Sequence, residues 1–244
     1  MAASVPNQKW KLNRPEILRL AALAFVVILI WCSVYNRWTR RSWQAPLTYL
    51  ETEPFKPYRP DVLAALAGIK AAGEGSYIPI VFSSVPLLGA PFTASWNDYP
   101  VAEKPLFCFA GLLANCIGLF AAANLTILIG QVLAAEAFYL ACRVLGADWI
   151  WTFAGAVAFA FSRYAFAHGL NHIVIMYYWH VPLGLLVVEW IIRGKGLQFG
   201  ERKFIYALII AVIFGIQNQY FSYLFAQMVC LGGLLQMWRR GWRG

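Results

Sequence analysis

The sequence predicts an all-α polytopic membrane protein, with about six transmembrane helices and a long extracytoplasmic first loop that carries interfacial helices. Hydrophobic residues make up 61% of the 244 and charged residues only 13%. That is about half the charged fraction of an ordinary soluble domain, too little to build a water-facing globular surface. Apolar runs recur along the chain at lengths beyond those of a buried soluble helix, which separates it from a protein with one anchor. The basic residues behind the net charge of +9 lie in short clusters between those runs. Nucleic-acid binding would need them in one patch or stripe, so they read as topology signals and nucleic acid is not an expected partner.

The whole chain, 1–244, reads as one membrane domain. At the amino end Lys9, Lys11, Arg14 and Arg19 precede a first span over 20–35. No small-residue cleavage site follows, which marks an uncleaved anchor. Residues 36–121 form the first loop, and further spans are expected at 121–142, 149–166, 173–192, 204–216 and 221–238. In this arrangement the amino tail, the segment with Arg193, Lys195, Arg202 and Lys203, and the tail with Arg239, Arg240 and Arg243 share one side. Short basic segments are retained in the cytoplasm, so both termini are placed there. The seven basic residues of the long loop do not oppose this, because long loops translocate largely regardless of charge. Trp31, Trp38, Trp43, Trp149, Trp151, Trp238 and Trp242 fall near span ends, as interfacial aromatics should. The five cysteines lack CxxC spacing and lie mostly in apolar segments, as small hydrophobes do.

Within the loop, Asp61 followed by Val62, Leu63, Leu66 and Ile69 predicts an amphipathic helix capped by Asp61 and stopped at Gly73 or Gly75. It is expected on the membrane surface, its stripe of Val62, Leu66 and Ile69 resting on lipid or on the membrane domain. Pro79, Pro86, Gly89, Pro91 and Pro100 then interrupt regular structure, and 106–118 predicts a second interfacial helix. Six of the eleven acids (Glu51, Glu53, Asp61, Glu74, Asp98 and Glu103) lie in this loop. Any one of them is accounted for as a solvated charge or, for Asp61, a cap. Asp98 differs, because Trp96, Asn97, Tyr99 and Pro100 around it would hold a carboxylate in a partly desolvated turn and raise its basicity.

Two stretches carry a family resemblance. Residues 61–75 (DVLAALAGIKAAGEG) and 86–100 (PLLGAPFTASWNDYP) resemble the first extracytoplasmic loop of bacterial multi-spanning GT-C-type glycosyltransferases. Ser162-Arg163-Tyr164-Ala165-Phe166, Gly169-Leu170-Asn171-His172, Tyr178 and Val181-Pro182-Leu183 resemble the third and fourth helices of that family. The resemblance implies sugar transfer from a polyprenyl-phosphate donor to an extracytoplasmic acceptor, with an acid of the first loop at the active site. It also implies an amino-terminal portion of a longer protein, since the family continues beyond six spans. The chain departs from the family in having no adjacent Asp-Glu or Asp-x-Asp pair after its first span.

Such a reaction needs a carboxylate to take the acceptor hydroxyl proton, and cations or fixed dipoles to meet the departing phosphate. Asp98, with Asp61 as the alternative, is the expected base. Arg163, His168, His172 and Lys104 are the candidates for the phosphate, with Trp96 and Asn97 beside the base. Divalent-metal assistance is compatible with the reaction, and no ligand set in the sequence marks a metal site. The i, i+4 spacing of His168 and His172, with His180 further along, admits a metal or haem site, interfacial hydrogen bonding or a phosphate contact. Glu189 precedes Arg193 by one helical turn, as in a snorkelling ion pair. Glu136 lies deeper, where a carboxylate must face protein or water, with Arg143 two turns on as a candidate partner. Gln217, Asn218 and Gln219 are explained as polar partners for a turn. The alternative function is a non-catalytic membrane subunit or a small-molecule transporter. No internal repeat or matched pair of interrupted helices is visible to favour transport.

The topology is testable by introducing single cysteines at Ser84 and Ser95 in a chain otherwise free of accessible thiols. An impermeant thiol reagent should label both from the extracytoplasmic side only; labelling only from the cytoplasm contradicts the arrangement.

Overall fold

A computed structural model describes residues 12–45, 47, 60–75, 84–85, 94–95, 103–169, 172–194 and 197–240. Among them three helices are long and apolar enough to cross a membrane: α1 (Arg14–Val34), α5 (Leu119–Val144) and α11 (Gln219–Arg240). Shorter helices fill the rest: α2 (Arg40–Trp43), α3 (Pro60–Gly73), α4 (Lys104–Ile117), α6 (Trp149–Ala160), α7 (Arg163–His168), α8 (Ile173–Met176), α9 (Val181–Ile192) and α10 (Arg202–Ile216). The only strands among the described residues form a two-residue antiparallel ladder pairing Ser84 with Ser95 and Val85 with Ala94.

α1 and α5 run antiparallel, and the reason is visible at both ends. At the α1 amino end, Asn13 caps the helix by accepting from the Glu16 amide at 3.1 Å. The buried Glu16 carboxylate then accepts from Arg19 (2.7 Å), Arg143 (2.8 Å) and the Tyr139 hydroxyl (2.7 Å), the last two from the far end of α5. Arg143 is therefore committed to Glu16 and not to Glu136; a partner 127 residues away outcompetes the one two turns back. Arg19 also lies over the Trp149 ring at 4.7 Å, tying α6 to the same end. At the opposite end, Trp31 and Ala123 share one buried cluster, and the Asn124 amide donates to the Trp43 and Ala45 carbonyls at 2.9 and 2.8 Å.

The run expected as one helix over 149–166 is broken after Ala160. Ser162 restarts the chain by capping α7, its hydroxyl accepting from the Ala165 amide. The run over 173–192 is also broken, between Met176 and Val181. In a continuous helix Pro182 would face the Tyr178 carbonyl with no N–H to offer and with its ring in the way, so Pro182 sits in the first turn of α9 instead. The two breaks meet. The Tyr178 hydroxyl donates to the Phe159 carbonyl at 2.8 Å, and Gln131 of α5 donates to the Ala160 carbonyl at 3.1 Å. The carbonyls released where α6 stops are thereby satisfied from within the protein.

α3 begins at Pro60, one residue earlier than expected, so Asp61 stands inside the first helical turn and not at the cap. Its stripe of Val62, Leu66 and Ile69 is buried, in a cluster shared with Phe107 and Ala110 of α4, Ile127 of α5, and Ile173 and Met176 of α8. The helix thus rests on protein and not on a bare lipid surface. Small residues let α3 and α4 approach closely. A Cβ at Gly111 would stand 2.5 Å from the Gly73 nitrogen and 2.7 Å from the Ala72 carbonyl carbon, and one at Gly68 would stand 2.8 Å from the Phe107 ring. Asn115 fastens the pair by donating to the Gly73 carbonyl at 2.9 Å.

Gly111→Ala must push backbone aside, so it should destabilise by about 1–3 kcal/mol or more. Gly233, where a Cβ meets nothing within 4 Å, is the control: Gly233→Ala should be neutral or stabilising by up to about 1 kcal/mol. Thermal unfolding of both variants in detergent tests this, and equal midpoints for the two contradict the close approach.

Candidate functional site

The loop helices and the two helix breaks converge at the end of the bundle where α1 finishes. α7 is held there by Phe166, whose ring lies 6.2 Å from Tyr35, the residue that closes α1. α8 is held by Ile173 and Met176, buried against Leu66, Ile69 and Phe107 of the loop helices. Arg163, His168 and His172 therefore stand at the same end as the helix that begins beside Asp61.

Arg163 opens α7 and is exposed. His168 closes it, its ring tilted against Tyr164 at 4.2 Å and 5.6 Å from the His172 ring. Gly169, at φ +42°, lets the chain turn back so that the two imidazoles approach although no continuous helix joins them. His168 Nδ1 lies 2.8 Å from the Tyr164 carbonyl oxygen. A carbonyl only accepts, so Nδ1 carries the proton and Nε2 of the neutral ring keeps its lone pair. His180 does not join them. It is wholly buried, edge-on to Phe214 at 4.5 Å and Phe221 at 4.9 Å, and neither ring nitrogen has a hydrogen-bond partner among the described residues. No group of three or more His, Cys, Asp or Glu suited to a metal ion occurs among the described residues.

Of the expected bases, Asp61 lies in the first turn of α3, while Asp98, with Trp96 and Asn97, falls outside the described residues. Lys104 is the first residue of α4 and half-buried. Glu189 and Arg193 form the expected ion pair.

The acid that sequence reasoning passed over is Glu103. It stands just before α4 and is 5% exposed; its carboxylate accepts from the amide of Asn218, itself buried in the turn between α10 and α11. Asn218 also accepts from the Tyr220 amide at 2.9 Å, while the side-chain oxygen of the neighbouring Gln217 is buried without a partner among the described residues. Burial pushes the Glu103 carboxyl above its ordinary range, and the hydrogen bonds from Asn218 and its own backbone only partly offset that. In sequence, a separation of 115 residues concealed the contact. The signal available was the expected placement of both segments on one side of the membrane.

No protein-family model, curated protein or solved structure matches the chain.

A folded carboxyl with a raised pKa holds its proton where the unfolded one has lost it. Its contribution to stability is present at acidic pH and disappears as pH rises through the elevated value. Wild-type protein should therefore lose thermal stability as pH rises above the ordinary carboxylate range, relative to Glu103→Gln, which keeps the acceptor for Asn218. Parallel pH profiles of the two proteins contradict this assignment.

Proposed function

We propose that the chain is a membrane-embedded glycosyltransferase-like module of GT-C type. It moves a sugar from a polyprenyl-phosphate donor to an extracytoplasmic acceptor, in a bacterial inner membrane with both termini cytoplasmic and six passes of the chain. The observation that supports this reading is the buried cluster joining Leu66, Ile69 and Phe107 of the long loop to Ile173 and Met176 of α8. It brings the acid-bearing loop to the end of the bundle where Arg163, His168 and His172 gather, and where lipid and water meet.

In this reading a loop carboxylate, Asp98 first and Asp61 second, accepts the proton of the acceptor hydroxyl. That oxygen bonds to the anomeric carbon while the carbon–phosphate oxygen bond breaks, and the phosphate leaves with the electron pair as an anion. The guanidinium of Arg163 and an imidazole of His168 or His172 meet the growing charge. Glu103 has a positioning part, holding the start of α4 to the α10–α11 turn through Asn218.

A second reading has its own observation. α6–α7 and α8–α9 are interrupted helices whose breaks touch through Tyr178, a feature of small-molecule transporters. A non-catalytic subunit would keep the same arrangement of helices without turnover.

The test is sugar transfer from a polyprenyl-phosphate donor by the full reading frame, measured beside donor binding. Asp98→Asn should lower transfer by roughly 10² or more while binding survives. Arg163→Ala should instead weaken binding. Wild-type transfer in both Asp98→Asn and Asp61→Asn contradicts the carboxylate assignment, and donor movement across vesicles without transfer favours the transporter.

A further inference from the structure

Glu136 takes no part in the proposed transfer, and its position in the bundle is unusual for an acid. Around α5, Gln131 and Phe138 face α6, through the Ala160 carbonyl and the Phe159 ring. Val132 and Tyr139 face α1, packed in one cluster with Leu23 and Val27. Gly130 and Ala134 face Tyr177 and Tyr178. At about 100° per residue, Glu136 points to the remaining side, together with Ile129, Leu133 and Leu140. All four are half-buried, whereas most of the helix from Ala121 to Ala141 is buried, so this is its most open side.

Glu136 has no hydrogen bond or ion pair among the described residues; Arg143 and Arg19, the nearest basic groups on α5 and α1, are both held by Glu16. It lies eight residues before the end of α5 at Val144, roughly 12 Å along the axis. The Cα–Cβ bond tilts toward the helix amino end, away from that nearer surface, so the carboxylate is directed deeper and not outward. An acid in an apolar span is costly unless something meets it.

We propose that this side of α5 receives a transmembrane helix of a partner protein bearing a Lys or Arg at the depth of Glu136. The spacing of Ile129, Leu133, Glu136 and Leu140, at steps of four, three and four residues, is that of a seam between helices and not of a site for a single lipid headgroup. Charge selects the partner. A second copy of the chain would bring Glu136 against an apolar helix or another Glu136, since the basic residues of α1, α10 and α11 among the described residues lie within two turns of their helix ends. A cation from another protein supplies what both copies lack.

The probe is a labelled polyleucine transmembrane helix with one lysine about 12 Å from one interface, compared with its lysine-free counterpart. Energy transfer from the labelled chain is measured in phosphatidylcholine vesicles. Wild-type protein should associate roughly five- to thirtyfold more tightly with the lysine helix, the range of intramembrane polar contacts. Glu136→Gln, nearly isosteric, should remove the preference, and Glu136→Lys should transfer it to a helix bearing Glu. Equal association of wild type with both probes, or an undiminished preference in Glu136→Gln, overturns the proposal. So does Glu136-dependent transfer between two labelled copies of the chain, which would assign the seam to self-association.

Discussion

A helix that stops within a packed bundle releases carbonyls that water does not reach, and the chain must answer each one itself. Here α6 ends after 12 residues, and the carbonyls of Phe159 and Ala160 find the Tyr178 hydroxyl and the Gln131 amide. Because these donors come from the second break and from the centre of α5, the two interruptions and the central helix depend on one another. The rest of that end of the bundle follows. With α6 stopped short, α7 and α8 turn across the top of the bundle, and Ile173 and Met176 become the floor on which the loop helices settle.

The same economy governs the few charges. Glu16 gathers Arg19, Arg143 and Tyr139 at one end of the α1–α5 pair, and Glu103 is held by Asn218 in the turn that joins α10 to α11. Each acid fastens segments more than a hundred residues apart. Burying such groups is costly unless they are paired, so each contact acts more as a specification of which segments meet than as a source of stability.

Local features read well from sequence where one segment decides the outcome. The apolar length of α1, α5 and α11 and the buried stripe of Val62, Leu66 and Ile69 belong to that class. The helix breaks do not, although their causes are present as Ser162 and Pro182, because hydropathy averaged over a span is insensitive to one hydroxyl or one missing N–H. Arg143 was paired with Glu136 by proximity along the helix, and packing gave it to Glu16. In the candidate site, the approach of His168 to His172 was readable from their spacing, while the separation of His180 from both was set by Phe214 and Phe221 on distant helices. Whether Asp98 faces that cluster lies outside the described residues.

The dependence of this end of the bundle on the bridged breaks is most directly tested by the unfolding free energy of Gln131→Leu, Tyr178→Phe and the double variant in a bilayer mimic. Each single change removes one donor and should cost roughly 0.5–1.5 kcal/mol, with the double variant losing more than the sum because only then is the Ala160 carbonyl left with neither side-chain donor. Both single variants within about 0.5 kcal/mol of wild type would contradict the account.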